Sequence, residues 1–287
     1  MTIASKENIY THVEFLTNIR PYRNFENLES LQKAKDYISR TFVSYGLEVK
    51  EQKWLADSKE YSNVIASYEP EKKKRVIVGA HYDVCGDQPG ADDNASAVAG
   101  LLETARLTMK NKPNLDYGID FVSFCLEEPP FWETELMGSY IHSKSLKENG
   151  IEVKGMICYE MIGYFSDEPN SQASPDPKLA ELYPSTANFI LVVGIKKFEK
   201  LTSKFYTAMA KNSKVDVQKV ILEDTNEWAY LSDHRNYWHF DFPGLMINDT
   251  SFLRNPNYHK ITDTIETLDF EKLTAVIDGA YNGIVSL

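Results

Sequence analysis

Only three of the 287 residues are cysteine: Cys85, Cys125 and Cys158. An odd number cannot form a complete set of intrachain disulfides, and no C-x-x-C pair suggests a thiolate cluster or a redox motif. A reducing compartment is therefore expected. Long apolar runs are also missing. No stretch approaches the ~20 residues that span a bilayer, and the opening MTIASKENIY holds no apolar segment of the signal-peptide kind. These absences predict a soluble, cytoplasmic chain with no membrane partner, although a mature form whose leader had been removed would read the same. Basic charge is scarce: 31 Lys and Arg stand against 42 Asp and Glu, a formal net charge of −11. That balance argues against nucleic acid as a partner, because phosphate binding relies on clustered cations. The one basic run, Lys72 to Arg75, precedes an apolar strand and reads as a solvated turn. Among catalytic signatures, G-x-S-x-G, Walker A and G-x-G-x-x-G are all absent.

What is present is ordinary globular material, with 43% hydrophobic and 25% charged residues, enough for a sizeable core. Length alone fits one large domain or two small ones. With no internal repeat and no linker, residues 1–287 are expected to form a single domain. Helical periodicity covers Lys6 to Ile19 and Leu28 to Tyr45, the second closed by Gly46. Strand patterns follow at Leu47 to Trp54, Ser62 to Tyr68 and Arg75 to Ala80, the last a continuous apolar run suited to a central strand. Asp92-Asp93-Asn94 reads as the cap of a helix from Ala95 to Met109. The alternation continues with strands near Ile119 to Leu126, Val153 to Met161, Phe189 to Ile195, Val215 to Leu222 and Pro243 to Asn248. Between them lie helices at Met137 to Glu148 and Phe198 to Asn212, and a closing helix covers Phe270 to Leu287. This order predicts an α/β fold with a mixed, largely parallel central sheet flanked by helices. Ser166 to Ser185, rich in Ser, Pro and Asp, reads as a long loop that follows a strand bearing a candidate ligand and is placed to cover a site.

In open α/β sheets ligands bind at the C-terminal strand ends. Three apolar runs end there in groups able to bind metal: His81-Tyr82-Asp83, Glu127-Glu128 and Glu160. Asp92-Asp93 sits at a helix entrance, and His259 follows the last strand. Each alone is weak, since a single His after a strand is usually a hydrogen-bonded structural residue and an Asp before a helix is usually a cap. Together they imply more. Carboxylates buried side by side raise one another's pKa, and a divalent cation is the common remedy. Imidazole with carboxylate suits zinc, and the lack of a thiolate cluster excludes a structural zinc finger. Cys85 lies near His81 in sequence, but acidic neighbours do not favour a nucleophilic thiolate.

Gly79-Ala80-His81-Tyr82-Asp83, Gly90-Ala91-Asp92-Asp93-Asn94-Ala95-Ser96, Glu127-Glu128, and Tyr258-His259 with Asp263-Thr264 and Thr267-Leu268 resemble the di-zinc peptidase family of bacterial leucyl aminopeptidase and glutamate carboxypeptidase, which also includes the glutaminyl cyclases. The resemblance runs from about residue 60 to the C-terminus. It implies a zinc exopeptidase fold with two zinc ions per chain bridged by Asp93, His81 and Glu160 completing one site and Glu128 and His259 the other. Glu127 would be the general base, and Asp83 would orient His81. The implied reaction is attack of a metal-activated water on a peptide carbonyl. Two features depart from the family pattern: the segment Pro129 to Leu136 after Glu127-Glu128, and Glu160 where aspartate is frequent. Ser232-Asp233-His234 resembles a substrate-side loop, making Asp233 and His234 candidate substrate contacts. His12, His142 and His239 show no partner pattern and are expected to be structural.

A peptide or aminoacyl substrate follows, with aminopeptidase the preferred polarity. Acids (Glu127, Glu160, Asp233) sit where the family forms its pocket, while Arg235 and Arg254, the cations a carboxypeptidase would need, lie in polar loops. Glutaminyl cyclase, carboxypeptidase and a non-catalytic binding module are the alternatives. Ligand residues do not separate the cyclase from the hydrolytic peptidase, and retention of Glu127 argues against the binding module.

Overall fold

In the computed structural model, which describes residues 2–176 and 180–287, the period-3.6 segments become helices because each offers one apolar stripe to the core. In α1 (Lys6–Thr17) the stripe is Ile9, Val13 and Leu16, and in α2 (Leu28–Ser44) it is Leu31, Ala34, Ile38 and Phe42, all buried. Gly46 follows the second helix with φ +89°, a left-handed turn that glycine adopts without steric cost. The remaining helices are α3 (Ala97–Asn111), α4 (Gly138–Glu148), α5 (Glu199–Asn212), α6 (His234–His239) and α7 (Phe270–Val285). The six-residue α6 was not anticipated; one and a half turns are too few for a periodic pattern to register.

Eight strands form one sheet: β1 (Glu48–Ala56), β2 (Lys59–Tyr68), β3 (Lys74–His81), β4 (Gly118–Phe124), β5 (Glu152–Glu160), β6 (Phe189–Ile195), β7 (Asp216–Leu222) and β8 (Gly244–Asn248). Their order is β1-β2-β4-β3-β5-β8-β6-β7. The pairs β4–β3, β3–β5, β5–β8 and β6–β7 are parallel, whereas β1–β2, β2–β4 and β6–β8 are antiparallel. The sheet is thus mixed, with a parallel centre. β3 and β4 are covered on both faces; in β3 the unbroken apolar run Val76 to Ala80 requires it, and in β4 Asp120 and Ser123 are buried along with the apolar residues. Edge strand β1 carries Glu48, Lys50, Glu51 and Lys53, charges that discourage strand addition. One face of the sheet packs against α1, α2, α3, α5 and α7 through Val78, Leu101, Ile157, Phe205 and Ile277. The other packs against α4 and α6 through Phe124, Met156, Tyr237 and Met246. The predicted loop Ser166 to Ser185 contains positions 177–179, which lie outside the described residues. No helix is long and apolar enough to cross a membrane among those described.

The expected helix start at Ala95 shifts to Ala97. Residues Ala91–Ser96 form a wide turn in which Asp93 and Asn94 leave helical geometry, and Ser96 at the cap position makes no side-chain cap bond. Asp92, Asp93 and Asn94 therefore do not cap a helix; all three are buried and face inward.

His142 is buried on α4 with its Nδ1 2.6 Å from the Tyr237 hydroxyl and its ring against Phe124. Burial, only partly opposed by Asp120, lowers its pKa to about 4. An unfolded histidine titrates near ~6.5. The native state thus binds fewer protons than the unfolded chain between those values. The stabilisation is present above ~6.5 and lost as pH falls to ~4, amounting to about 3 kcal/mol. Urea unfolding should show the wild type losing about 2–3 kcal/mol more than His142→Gln between pH 7 and pH 4; parallel losses would contradict this.

Candidate metal centre

Parallel pairing brings the C-terminal ends of β3, β4, β5 and β8 to one edge of the sheet, with His81 level with Phe124 and Glu160 level with Asn248. His81 and Glu160 are the last residues of their strands. Glu127 and Glu128 follow β4 after Leu126, whose φ is +64°; Met161, after Glu160, has φ +43° and His259 has φ +56°. Left-handed backbone at three such non-glycine residues is sparsely populated and costs on the order of 1 kcal/mol each. Strain of this kind, gathered at strand ends, aims side chains into a common space. Gly90 (φ +60°) is needed for the turn that delivers Asp93, since a Cβ there would meet Asp93 O at 2.3 Å.

All six side chains singled out for the metal and its base converge. His81 Nε2 lies 3.4 Å from Asp93 Oδ1, 3.4 Å from Glu160 Oε2 and 3.7 Å from Glu127 Oε2. His259 Nε2 lies 3.1 Å from Asp93 Oδ2 and 3.4 Å from Glu128 Oε2. Asp93 thus turns one oxygen to each imidazole. Asp83 is in place, with a different emphasis from that expected. Its carbonyl oxygen is 3.2 Å from His81 Nδ1 and its carboxylate 3.6 Å. The carboxylate also accepts from the backbone amides of Glu127 (3.3 Å) and Glu128 (3.1 Å). It therefore holds two strand ends at once.

The electrostatics are those of crowded acids. Burial first, then Glu160, Glu128 and Asp233, raises the pKa of Glu127 well above the carboxylate range, with His81 opposing. Burial and then Asp93 push Glu128 up to about 8. Burial disfavours the charged form of Asp93, but hydrogen bonds from His259 and His81 overcome it and lower its pKa. For His81, burial is outweighed by Glu127 and Glu160, and its pKa rises well above the usual value. His259 is pushed up to about 12: burial opposes, while Asp93, Cys85 and Glu128 raise it. Despite this crowding, His81 Nε2 and Glu128 Oε1 are buried without a hydrogen-bond partner. Unpaired donors and acceptors in such a place are costly, and a divalent cation would satisfy both. His81, Asp93 and Glu160 form one set of candidate ligand atoms within 4.8 Å of one another, and Cys85, Glu128 and His259 form another. The donor set fits zinc.

Several supporting contacts were not read from the sequence, although Asn94, Ser232 and Asp263 stand in its motifs. Asn94 donates to Glu160 Oε2 (3.2 Å) and accepts from Met161 N (2.9 Å), and Ser232 Oγ donates to Glu160 Oε2 at 2.7 Å. Asp263 accepts from the backbone amides of Asp92 and Asp93. Arg23, fully buried, donates to the carbonyls of Leu16, Tyr82, Pro89 and Gly90 at 2.6–3.0 Å. It ties the N-terminal region to the loop between His81 and Asp93. None of these contacts is periodic or motif-like, so pairing across distant segments was the only route to them.

A cavity of about 640 Å³ opens over the site, floored by Leu191, Val193, Val220, Leu222 and Met246 and reaching Trp228 and Phe252 at the rim. Residues 172–176, Ala180 and residues 183–185 also line it, so the described parts of the predicted loop border the site. Pro129 and Trp132, from the segment that departs from the family pattern, also line it. Asp233 and His234, expected to touch substrate, are fully buried, and neither is among the lining residues. His234 Nε2 is 2.6 Å from the carbonyl of Ala229. Burial raises Asp233 to about 7. Arg235 pairs with Glu133 at 2.7 Å. Arg254, expected in a polar loop, is buried instead, bonded to Gln172, Thr250 and Phe189 O and lying over the Phe189 ring. Among the described residues no Lys or Arg lines the cavity.

The sequence model of peptidase family M28 matches residues 63–283. The chain is 38% identical over 284 residues to the uncharacterised protein YfbL of Escherichia coli (strain K12), covering 96% of this chain and 86% of that protein. It is 28% identical over 284 residues to a protein of Arthroderma otae described as a probable leucine aminopeptidase, covering 94% of this chain and 69% of that one. The fold is shared with the solved glutaminyl cyclase of Bacteroides thetaiotaomicron (TM-score 0.75, 22% identity, 100% of this chain and 99% of that one).

The Arg23 contacts make a direct prediction. Arg23→Met would leave four buried carbonyls without their donor and should cost about 3 kcal/mol or more. Arg23→Lys, lacking the planar fork, should recover only part of that. Urea unfolding of both variants checks it, and a loss below about 1 kcal/mol for Arg23→Met would be inconsistent.

Proposed function

This chain belongs to peptidase family M28, and from that premise we propose that it is a zinc-dependent aminopeptidase acting on unblocked peptides with a large apolar N-terminal residue. The observation that carries the polarity is the cavity lining: the acids Asp93, Glu127, Glu128 and Glu160 border it, and no Lys or Arg does so among the described residues. A free ammonium is stabilised by such a wall, whereas a free C-terminal carboxylate has no cation to pair with. The apolar floor of Leu191, Val193, Val220, Leu222 and Met246 suits a large hydrophobic side chain.

In this reading Asp93 would be shared between two zinc positions, with His81 and Glu160 holding one ion and Glu128 and His259 the other. Bound zinc supplies Lewis-acid polarisation of the scissile carbonyl and makes a water more acidic. Glu127 is not counted among the ligands. Placed at the cavity wall beside these groups, it takes a proton from the attacking water and returns it to the leaving amine. Asp83 holds Glu127 and Glu128 in register through their amides, and Ser232 and Asn94 fix the oxygen of Glu160. Asp233, behind Glu127 and Glu160, adds negative potential that favours the protonated form of Glu127. Glutaminyl cyclisation is the second reading, favoured by the fold shared with the Bacteroides thetaiotaomicron cyclase.

Elemental analysis of zinc-replete protein should give close to two zinc ions per chain, and chelation should abolish turnover; one ion or fewer would remove the bridged arrangement. Glu127→Gln should retain metal and lose at least ~10²-fold in kcat, whereas Glu128→Gln should lose metal. In a panel of free aminoacyl, N-acetylated and N-terminal glutaminyl peptides, free apolar aminoacyl peptides should be cleaved and acetylation should block cleavage. Ring closure of the glutaminyl peptide without hydrolysis would favour the cyclase.

A further inference from the structure

Cys85 sits on the loop that joins His81 to Asp93 and is half-buried, unlike the fully buried Cys125 and Cys158. Its Sγ, a carboxylate oxygen of Glu128 and a ring nitrogen of His259 all lie within 4.8 Å of one another. A second observation at the same spot is independent of the cysteine: Glu128 is only 4% exposed, and its Oε1 has no hydrogen-bond partner. An acceptor of that kind next to an imidazole and a thiol asks for a cation, not another hydrogen bond.

Resting on the zinc reading above, we infer that Cys85 is an additional ligand, supplying sulfur at the position formed by Glu128 and His259 and making that position the more zinc-selective of the two. The grouping of His81, Asp93 and Glu160 offers only nitrogen and oxygen. A thiolate is a soft donor that favours zinc over magnesium or manganese, whereas a nitrogen and oxygen set discriminates less. Ligation releases the thiol proton to solvent, because a coordinating thiol binds a divalent cation as the thiolate. The bond formed is sulfur to metal and the bond broken is S–H, with no change of oxidation state.

The test uses the full chain freed of metal by chelation. Cobalt(II) added to wild type should produce a near-ultraviolet sulfur-to-cobalt charge-transfer band. Cys85→Ser, in which a hydroxyl replaces the thiol, should lack that band while still taking up cobalt. A water-soluble disulfide reagent should modify one thiol in metal-free native protein, because Cys125 and Cys158 have no exposure, and zinc should suppress that reaction. Zinc affinity at the tighter site should fall at least ~10-fold in Cys85→Ser and likewise in Cys85→Ala. The wild-type band and the thiol protection need no variant, so a misfolded substitution does not spare the idea. Cobalt bound without the band, or zinc protection without it, overturns the Cys85 assignment and leaves the zinc reading standing. Failure of wild type to bind either metal overturns both.

Discussion

Carboxylates packed too closely for water to screen them are the constraint on which this structure depends. Asp93, Glu127, Glu128 and Glu160 share a buried space at the end of the sheet, with Asp83 and Asp233 just behind. Left alone, such a group lowers its charge by taking up protons, and the raised affinities of Glu127, Glu128 and Asp233 express that tendency. Two imidazoles compensate part of it, as the depressed proton affinity of Asp93 shows. The remaining imbalance is what suits the site to a cation. Structure and chemistry thus have one origin: the repulsion that makes the cluster costly also makes it a place where a cation would be held.

Holding such a cluster in place needs anchors outside it, and these are mostly backbone contacts. Asp83 and Asp263 each accept from two consecutive or nearly consecutive amides, clamping the turns that carry Glu127, Glu128 and Asp93. Arg23 does the complementary work with donors, gathering carbonyls on both sides of the loop that contains Cys85. Buried charges of opposite sign are thereby spread through the support as well as the site.

The sequence displayed the helices, the parallel centre of the sheet and the six converging side chains, because periodicity and strand-end position are local properties of the chain. It did not display Arg23, nor the contacts of Asn94, Ser232 and Asp263, which join residues up to 171 positions apart. Asp92 to Asn94 misled as a helix cap, since a short polar run before an apolar helix looks the same whether it bonds the helix amides or turns inward to the site. Asp233 and His234 stood beside a recognisable Ser232, yet only tertiary packing reveals that they lie beneath the cavity floor instead of within it. Arg254 illustrates the same limit: polar neighbours in sequence gave no sign of the aromatic rings that enclose its guanidinium.

The converging residues are drawn from positions 81 to 259, at or beyond the ends of four strands whose pairing is not sequential. No fragment ending before His259 contains the whole set, and none that contains it can assemble it before β8 has docked between β5 and β6. Long-range pairing of this kind forms late in folding. A chain that ends before His259 therefore carries most of the site's residues without the whole set, and the cluster is complete only when the far end of the chain has been brought back to the sheet.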